Sequence, residues 1–148
     1  MKLNIKRIEK NGKKPPIPTY ATNGSAGLDL TAFVEDSVTI IPNELVKIPT
    51  GICVEIPAKY VGLCIIRSSL GVKSGISLSN CVGVIDSDYR GEIILGLINN
   101  SCEKRTIIPG ERIAQLVIVP YLSVEIEEKE VLSETVRGDG GFGSTGIK

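Results

Sequence analysis

The sequence contains no histidine and no tryptophan, one methionine and only five alanines in 148 residues. Without histidine, no Ser-His-Asp or Cys-His catalytic arrangement, no HExxH helix and no histidine-bearing zinc site can be assembled. Any acid or base must therefore be a carboxylate, Lys, Tyr or Cys. Net charge is missing as well, because 17 Lys plus Arg balance 17 Asp plus Glu. That balance argues against broad binding to nucleic-acid backbone, which needs clustered excess Lys and Arg; a local anion site stays open. No apolar run approaches the roughly 18 residues of a membrane span. The N-terminal stretch is interrupted by Lys2, Lys6, Arg7, Glu9, Lys10, Lys13 and Lys14, so it lacks the apolar segment of a signal peptide, and a cytoplasmic protein is expected. The four cysteines, Cys53, Cys64, Cys81 and Cys102, stand 11, 17 and 21 residues apart with no CxxC. Most fall inside apolar runs, and they read as small core residues in a reducing compartment.

What is abundant points to strands. Ile, Val and Thr supply 42 residues against 17 Ala plus Leu, and β-branched side chains suit a pleated surface better than a helix. Sixteen Gly and eight Pro are spread along the chain, so the strands are short and many, and an all-β sandwich or barrel is expected. Apolar runs place strands at about 3–8, 28–32, 38–41, 45–48, 51–56, 60–66, 75–78, 80–85, 92–99, 104–108, 112–120 and 124–130, with one helical turn at 69–74. Pro42-Asn43-Glu44, Pro57-Ala58-Lys59 and Pro109-Gly110-Glu111 carry β-turn chemistry, and a hairpin is expected at each. Asp86-Ser87-Asp88-Tyr89-Arg90-Gly91 joins two apolar runs and reads as a fourth hairpin tip. The chain divides into one β domain, 1–136, and a flexible arm, 137–148, with five Gly in twelve residues.

Four polar clusters can carry chemistry. They are Ser25 to Leu30 around Asp29, Arg67-Ser68-Ser69, the stretch from Asn80 to Gly91 around Asp86, and the arm. A phosphate site needs cationic forks, small hydroxyls, backbone N–H groups and a carboxylate to hold Mg²⁺ or its waters. Arg67, Ser68, Ser69, Arg137, Ser144 and Thr145 offer donors, and Asp29, Asp86 and Asp88 offer carboxylates. Each has a plain structural alternative. Arg67 can close a surface salt bridge, Asp29 can face solvent between Leu28 and Leu30, Asp86 and Asp88 can be turn formers, and the arm can be a frayed end. Against these, Asp86 follows Val82, Val84 and Ile85 closely enough to be half buried, which favours a raised or tuned pKa and a general-base role. The arm combines an Arg, a Phe, a Ser-Thr pair and glycine-freed N–H groups, an anion nest with an aromatic lid. Gly138-x-Gly140-x-x-Gly143 matches a dinucleotide fingerprint in letters only, since that motif needs a strand before it and a helix after it.

Taken in order, the clusters resemble the trimeric dUTPase family over most of the chain. Five motifs match: Ser25-Ala26-Gly27-Leu28-Asp29-Leu30-Thr31-Ala32; Arg67-Ser68-Ser69-Leu70-Gly71; Gly83 through Gly91; Gly110-Glu111-Arg112-Ile113-Ala114-Gln115-Leu116; and Arg137 through Gly146. The resemblance implies a jelly-roll-like β fold, a homotrimer with sites at subunit interfaces, and hydrolysis of dUTP to dUMP and pyrophosphate with Mg²⁺, which keeps uracil out of DNA and supplies dUMP. It implies Asp86 as the base that activates water and Tyr89 as the residue packed where a ribose 2′-hydroxyl would clash. It implies Asn80 with the backbone of Val84, Ile85 and Ile94 as readers of uracil. Arg67, Ser68, Ser69 and Gln115 would bind phosphates and Asp29 would hold Mg²⁺ through water. Arg137, Phe142, Gly143, Ser144 and Thr145 would close over the nucleotide from a neighbouring subunit. Ser69 stands where the family commonly has Gly. A dCTP deaminase of the same superfamily resembles the second and third motifs, but Asp-Ser-Asp-Tyr-Arg-Gly is the triphosphatase form. A non-catalytic trimeric nucleotide-binding module would have no reason to keep these groups together.

Overall fold

A computed structural model of the chain describes residues 1–142 and 144. Ten strands and one short helix follow in the order β1 (Asn4–Arg7), β2 (Leu28–Thr31), β3 (Val38–Ile40), β4 (Leu45–Glu55), β5 (Tyr60–Ile66), α1 (Ser68–Ser74), β6 (Ile76–Leu78), β7 (Gly83–Ile85), β8 (Glu92–Asn99), β9 (Arg105–Ile107) and β10 (Arg112–Pro120). One antiparallel sheet has the order β1-β4-β8-β6, a second has β2-β10-β5-β7, and β3 pairs with β9. The inner faces alternate as the pleat requires. On β8, Ile93, Leu95, Leu97 and Asn99 are buried while Ile94 is exposed. Ile52, Val54, Ile76 and Leu97 from one sheet meet Leu30, Cys64, Ile113 and Leu116 from the other in one continuous core. The result is a two-sheet β-sandwich, the all-β class that the composition implies, and of the jelly-roll kind that the resemblance implies.

The predicted turns form, but none of the four makes a hairpin. The Glu44 N–H donates to the Ile41 carbonyl at 3.1 Å, Tyr60 to Pro57 at 3.2 Å and Glu111 to Ile108 at 3.1 Å. Yet β3 leads into β4, β4 into β5, β7 into β8 and β9 into β10, and each of these pairs lies in two different sheets. Among the described residues no two consecutive strands are hydrogen-bonded to each other. A proline-led turn fixes the reversal of four residues; the partner is chosen by which apolar face must close the core, so each reversal becomes a crossing between sheets.

Three further expectations are corrected. The segments 45–48 and 51–56 are one strand, β4, whose ladder with β8 shifts register between Pro49 and Cys53. Residues 124–130 form no strand: Val124 and Ile126 are 77% and 90% exposed, with no neighbouring strand to pair against. Only Cys53 and Cys64 belong to the interior; Cys81 and Cys102 are exposed because both lie in loops, Cys81 at a positive φ of 61°. Among the described residues, no helix is long and apolar enough to cross a membrane.

Candidate active site

Asp29 is the charged centre of the second sheet. It sits on β2 between Leu28 and Leu30, and all three are buried, so the solvent-facing alternative does not hold. Its register partner on β10 is Gln115, whose Nε2 donates to Asp29 Oδ1 at 3.3 Å. Arg67, directly after β5, places Nε 3.3 Å from the same oxygen, and Arg112 Nη1 donates to Oδ2 at 2.9 Å. The β10–β2 register shifts between Arg112 and Ala114, at the point where Arg112 turns toward the carboxylate. A buried carboxylate is costly unless paired and hydrogen-bonded; here two guanidiniums and an amide meet it. Both guanidiniums keep solvent access, with side-chain exposures of 24% for Arg67 and 52% for Arg112. The cluster is thus a fixed cationic pair that still has N–H groups to offer an anion. Ser68 and Ser69 open α1 beside Arg67, and both are exposed. The quoted motifs contain Arg112, but its part in the cluster becomes visible only once the β2–β10 register is known.

No group of three or more Cys, Asp or Glu side chains able to cage a metal occurs among the described residues. Asp29 is a lone carboxylate with both oxygens already engaged, so a divalent ion here would be held through water rather than directly.

Asn80, Val84, Ile85 and Ile94 are brought together. They line a cleft of about 270 Å³ where β7 and β8 diverge, with Ser79, Gly96 and the wall residue Cys64. β7 is an edge strand of its sheet, so its outer side carries backbone N–H and C=O groups that no strand satisfies. Val84 is 60% exposed and Ile94 52% exposed, an apolar pair at the mouth. Burial pushes the Cys64 thiol up from 9.0 to about 12, which keeps this wall neutral.

The loop from Asp86 to Gly91 departs from expectation. Asp86 is exposed rather than half buried, because β7 ends at Ile85 and the chain turns at once, with the Tyr89 N–H donating to the Asp86 carbonyl at 3.1 Å. In the single protomer, burial therefore gives no support to a base role. Tyr89 is held better: its hydroxyl donates to the Glu92 carbonyl at 2.9 Å, and its ring lies over Gly91 so closely that a Cβ there would strike it. Arg90 Nη1 braces the loop by donating to the Ser87 carbonyl at 2.7 Å. Asp86, Tyr89, Asp29, Arg67 and Gln115 do not line the cleft that holds Asn80.

In the arm, Arg137 Nε donates to the Gly140 carbonyl at 2.8 Å and the Ser144 N–H to Gly141 at 3.0 Å, so these residues curl on themselves. Phe142 is fully exposed. Gly143 and Thr145 lie outside the described residues. A separate cleft of about 420 Å³ near Lys13 and Pro109 has most of its polar groups committed to one another. Lys10 Nζ sits 5.8 Å from the Phe33 ring centroid, Asn11 donates to Glu35 at 2.7 Å, and Lys14 pairs with Glu9 at 3.2 Å.

A family model described as dUTPase matches residues 13–146. A protein of Finegoldia magna named deoxyuridine 5′-triphosphate nucleotidohydrolase is 49% identical over 144 residues, covering 97% of this chain and 99% of its own. A protein of the same name from Acinetobacter baumannii is 45% identical over 148 residues, covering 99% of each. Among solved structures, the Staphylococcus bacteriophage 80alpha dUTPase with dUPNHPP superposes with a TM-score of 0.87 at 29% identity over 99% of both chains.

Proposed function

The chain belongs to the dUTPase family, and from that premise we propose that it hydrolyses dUTP to dUMP and pyrophosphate. The observation that carries this reading is the cleft between β7 and β8, where the Asn80 side chain and an unpaired strand edge converge in a space of about 270 Å³. A pyrimidine edge presents C=O and N–H groups in one plane, and an amide beside a free strand edge answers both. In this reading the backbone that bounds the slot excludes the extra methyl of thymine. Tyr89, fixed by its bond to the Glu92 carbonyl, supplies the wall that a ribose 2′-hydroxyl would strike.

Arg67, Ser68, Ser69 and Gln115 bind the phosphates in this reading, and Asp29 aligns Arg67 and Gln115 before substrate arrives. Asp29 is also the carboxylate that would hold Mg²⁺ through water; the ion, when bound with the triphosphate, offsets phosphate charge. Asp86 takes a proton from water, the water oxygen bonds to the α-phosphorus, and the bond to the bridging oxygen breaks with pyrophosphate as leaving group. The proton then passes from Asp86 to solvent.

One protomer leaves this site incomplete, since the phosphate-binding cluster does not line the cleft that holds Asn80. The reading therefore includes a homotrimer in which neighbouring copies bring these parts together. Arg137, Phe142, Gly143, Ser144 and Thr145 of the arm close over the nucleotide of another subunit, Phe142 on the base. The test is product identity and selectivity. Incubation with dUTP and Mg²⁺, resolved by ion-exchange chromatography, yields dUMP and pyrophosphate in equal amounts, with UTP and dTTP turned over far more slowly. Orthophosphate as the primary product, or equal turnover of all three, would overturn it.

A further inference from the structure

Ser79 carries an uncommitted hydroxyl in the cleft between β7 and β8. The residue follows β6 directly, and its N–H donates to the Gly96 carbonyl at 2.8 Å, extending the β6–β8 ladder one step past the Leu78–Leu97 pair. That bond fixes the Ser79 backbone against β8. Its side chain then crosses the place where a side chain on residue 96 would stand: a Cβ built on Gly96 would lie 2.6 Å from Ser79 Oγ. Only one of these two facing positions can hold a side chain without something shifting. Here the hydroxyl occupies the space and the glycine concedes it.

Ser79 is exposed and lines the same cleft as Asn80, Val84, Ile85 and Ile94. Ser79 Oγ forms no protein hydrogen bond among the described residues, in contrast to Ser101, whose hydroxyl donates to Asn99 Oδ1 at 2.8 Å. A hydroxyl donates one hydrogen bond and accepts others. Next to the Asn80 amide, it suits a planar base edge that carries both C=O and N–H groups.

We propose that Ser79 Oγ, admitted by the missing side chain of Gly96, hydrogen-bonds the polar edge of the pyrimidine base and so acts as a specificity-determining residue. This rests on the reading of the cleft as the base site. Ser79→Ala weakens dUMP binding and lowers kcat/KM for dUTP by about three- to tenfold, the range for one net hydrogen bond, while kcat holds. Gly96→Ala, which pushes the hydroxyl aside, has a similar effect alone and none in the Ser79→Ala background. Ser79→Gly combined with Gly96→Ser moves the hydroxyl to the facing strand and restores most of the loss. Inorganic triphosphate, which has no base, serves as the control ligand, and its affinity is unchanged in every variant. Calorimetric titration of dUMP and triphosphate, with steady-state kinetics on dUTP, reads all of these. The proposal fails if Ser79→Ala leaves dUMP affinity within twofold of wild type, if it weakens triphosphate equally, or if Gly96→Ala costs as much without the hydroxyl as with it. Failure of the wild-type protein to hydrolyse dUTP sinks the base-site reading instead.

Discussion

β10 and the segment that follows it are both rich in apolar residues but end differently. In β10, Ile113 and Leu116 are buried, and β2 and β5 flank the strand on its two edges. Beyond Pro120, apolar residues fall at every second position, Leu122, Val124 and Ile126, with Ser123 and Glu125 between. Yet Leu122 is 91% exposed and no strand forms there. Alternation creates an apolar face; it does not supply the neighbour that satisfies the backbone on each edge. β10 finds neighbours within its own chain, and the following segment must find them elsewhere or stay extended.

The sharpest way to break this contrast is to disable body and arm separately. Asp86→Asn lowers turnover by about 10²- to 10⁴-fold, the range for a lost general base. Deleting residues 137–148 costs about 10²-fold by leaving the nucleotide unenclosed, while circular dichroism and light scattering report an unchanged fold and assembly. Co-refolding the two inactive chains restores activity, because a hybrid trimer can bring an intact Asp86 and an intact arm to one site. A mixture no more active than its parents means that each arm serves its own subunit.

A smaller effect separates the two regions by stability. Leu97→Ala, in the fully buried row of β8, costs about 2–5 kcal/mol. Leu122→Ala costs less than half as much by urea unfolding at equal protein concentration. Equal costs would show that the segment after Pro120 is covered as thoroughly as the body once the chains assemble. Asp29→Asn leaves Arg67 and Arg112 converging on a neutral amide. Because both guanidiniums keep solvent access, the cost is about 1–3 kcal/mol rather than that of a fully buried pair. A stability within about 0.3 kcal/mol of wild type would mean that solvent already screens the cluster.

The same contrast explains what was legible in the sequence. β5, β8 and β10 begin and end where the apolar runs do, and α1 starts one residue before the predicted turn, since period and breakers are local properties. Pairing is not local: Asp29 meets Gln115 across 86 positions of sequence, and no turn signal announces which strands will join. The exposure of Asp86 has a related cause. Apolar neighbours at Val84 and Ile85 predict burial only if the strand continues, and here it stops. The phosphate and base motifs could be read as residue types, whereas Arg112 and Ser79 needed the register and the close approach of Gly96.

The cysteines carry the contrast down to single side chains and the smallest expected effect. Cys64 on β5 is buried, and burial lifts its thiol from 9.0 to about 12; Cys81, in the loop before β7, is exposed. A group whose folded pKa is raised contributes stability that is fully present below its unfolded pKa and lost as pH rises toward the folded value. Between pH 9 and 12 the unfolded chain has released this proton and the folded chain has retained it, so stability falls with pH by at most about 1.4 kcal/mol per unit from this group. High pH acts on the rest of the chain as well, so the readout is a difference between wild type and variant. Urea unfolding of wild type and Cys64→Ala at pH 8, 9 and 10 gives a constant offset from the lost packing at the lower values. Above pH 9 the offset narrows, because only wild type loses this component. Parallel curves throughout would show that the thiol titrates alike in both states. Iodoacetamide gives an independent check: Cys81 and Cys102 are alkylated in the folded protein, and Cys64 reacts only after unfolding.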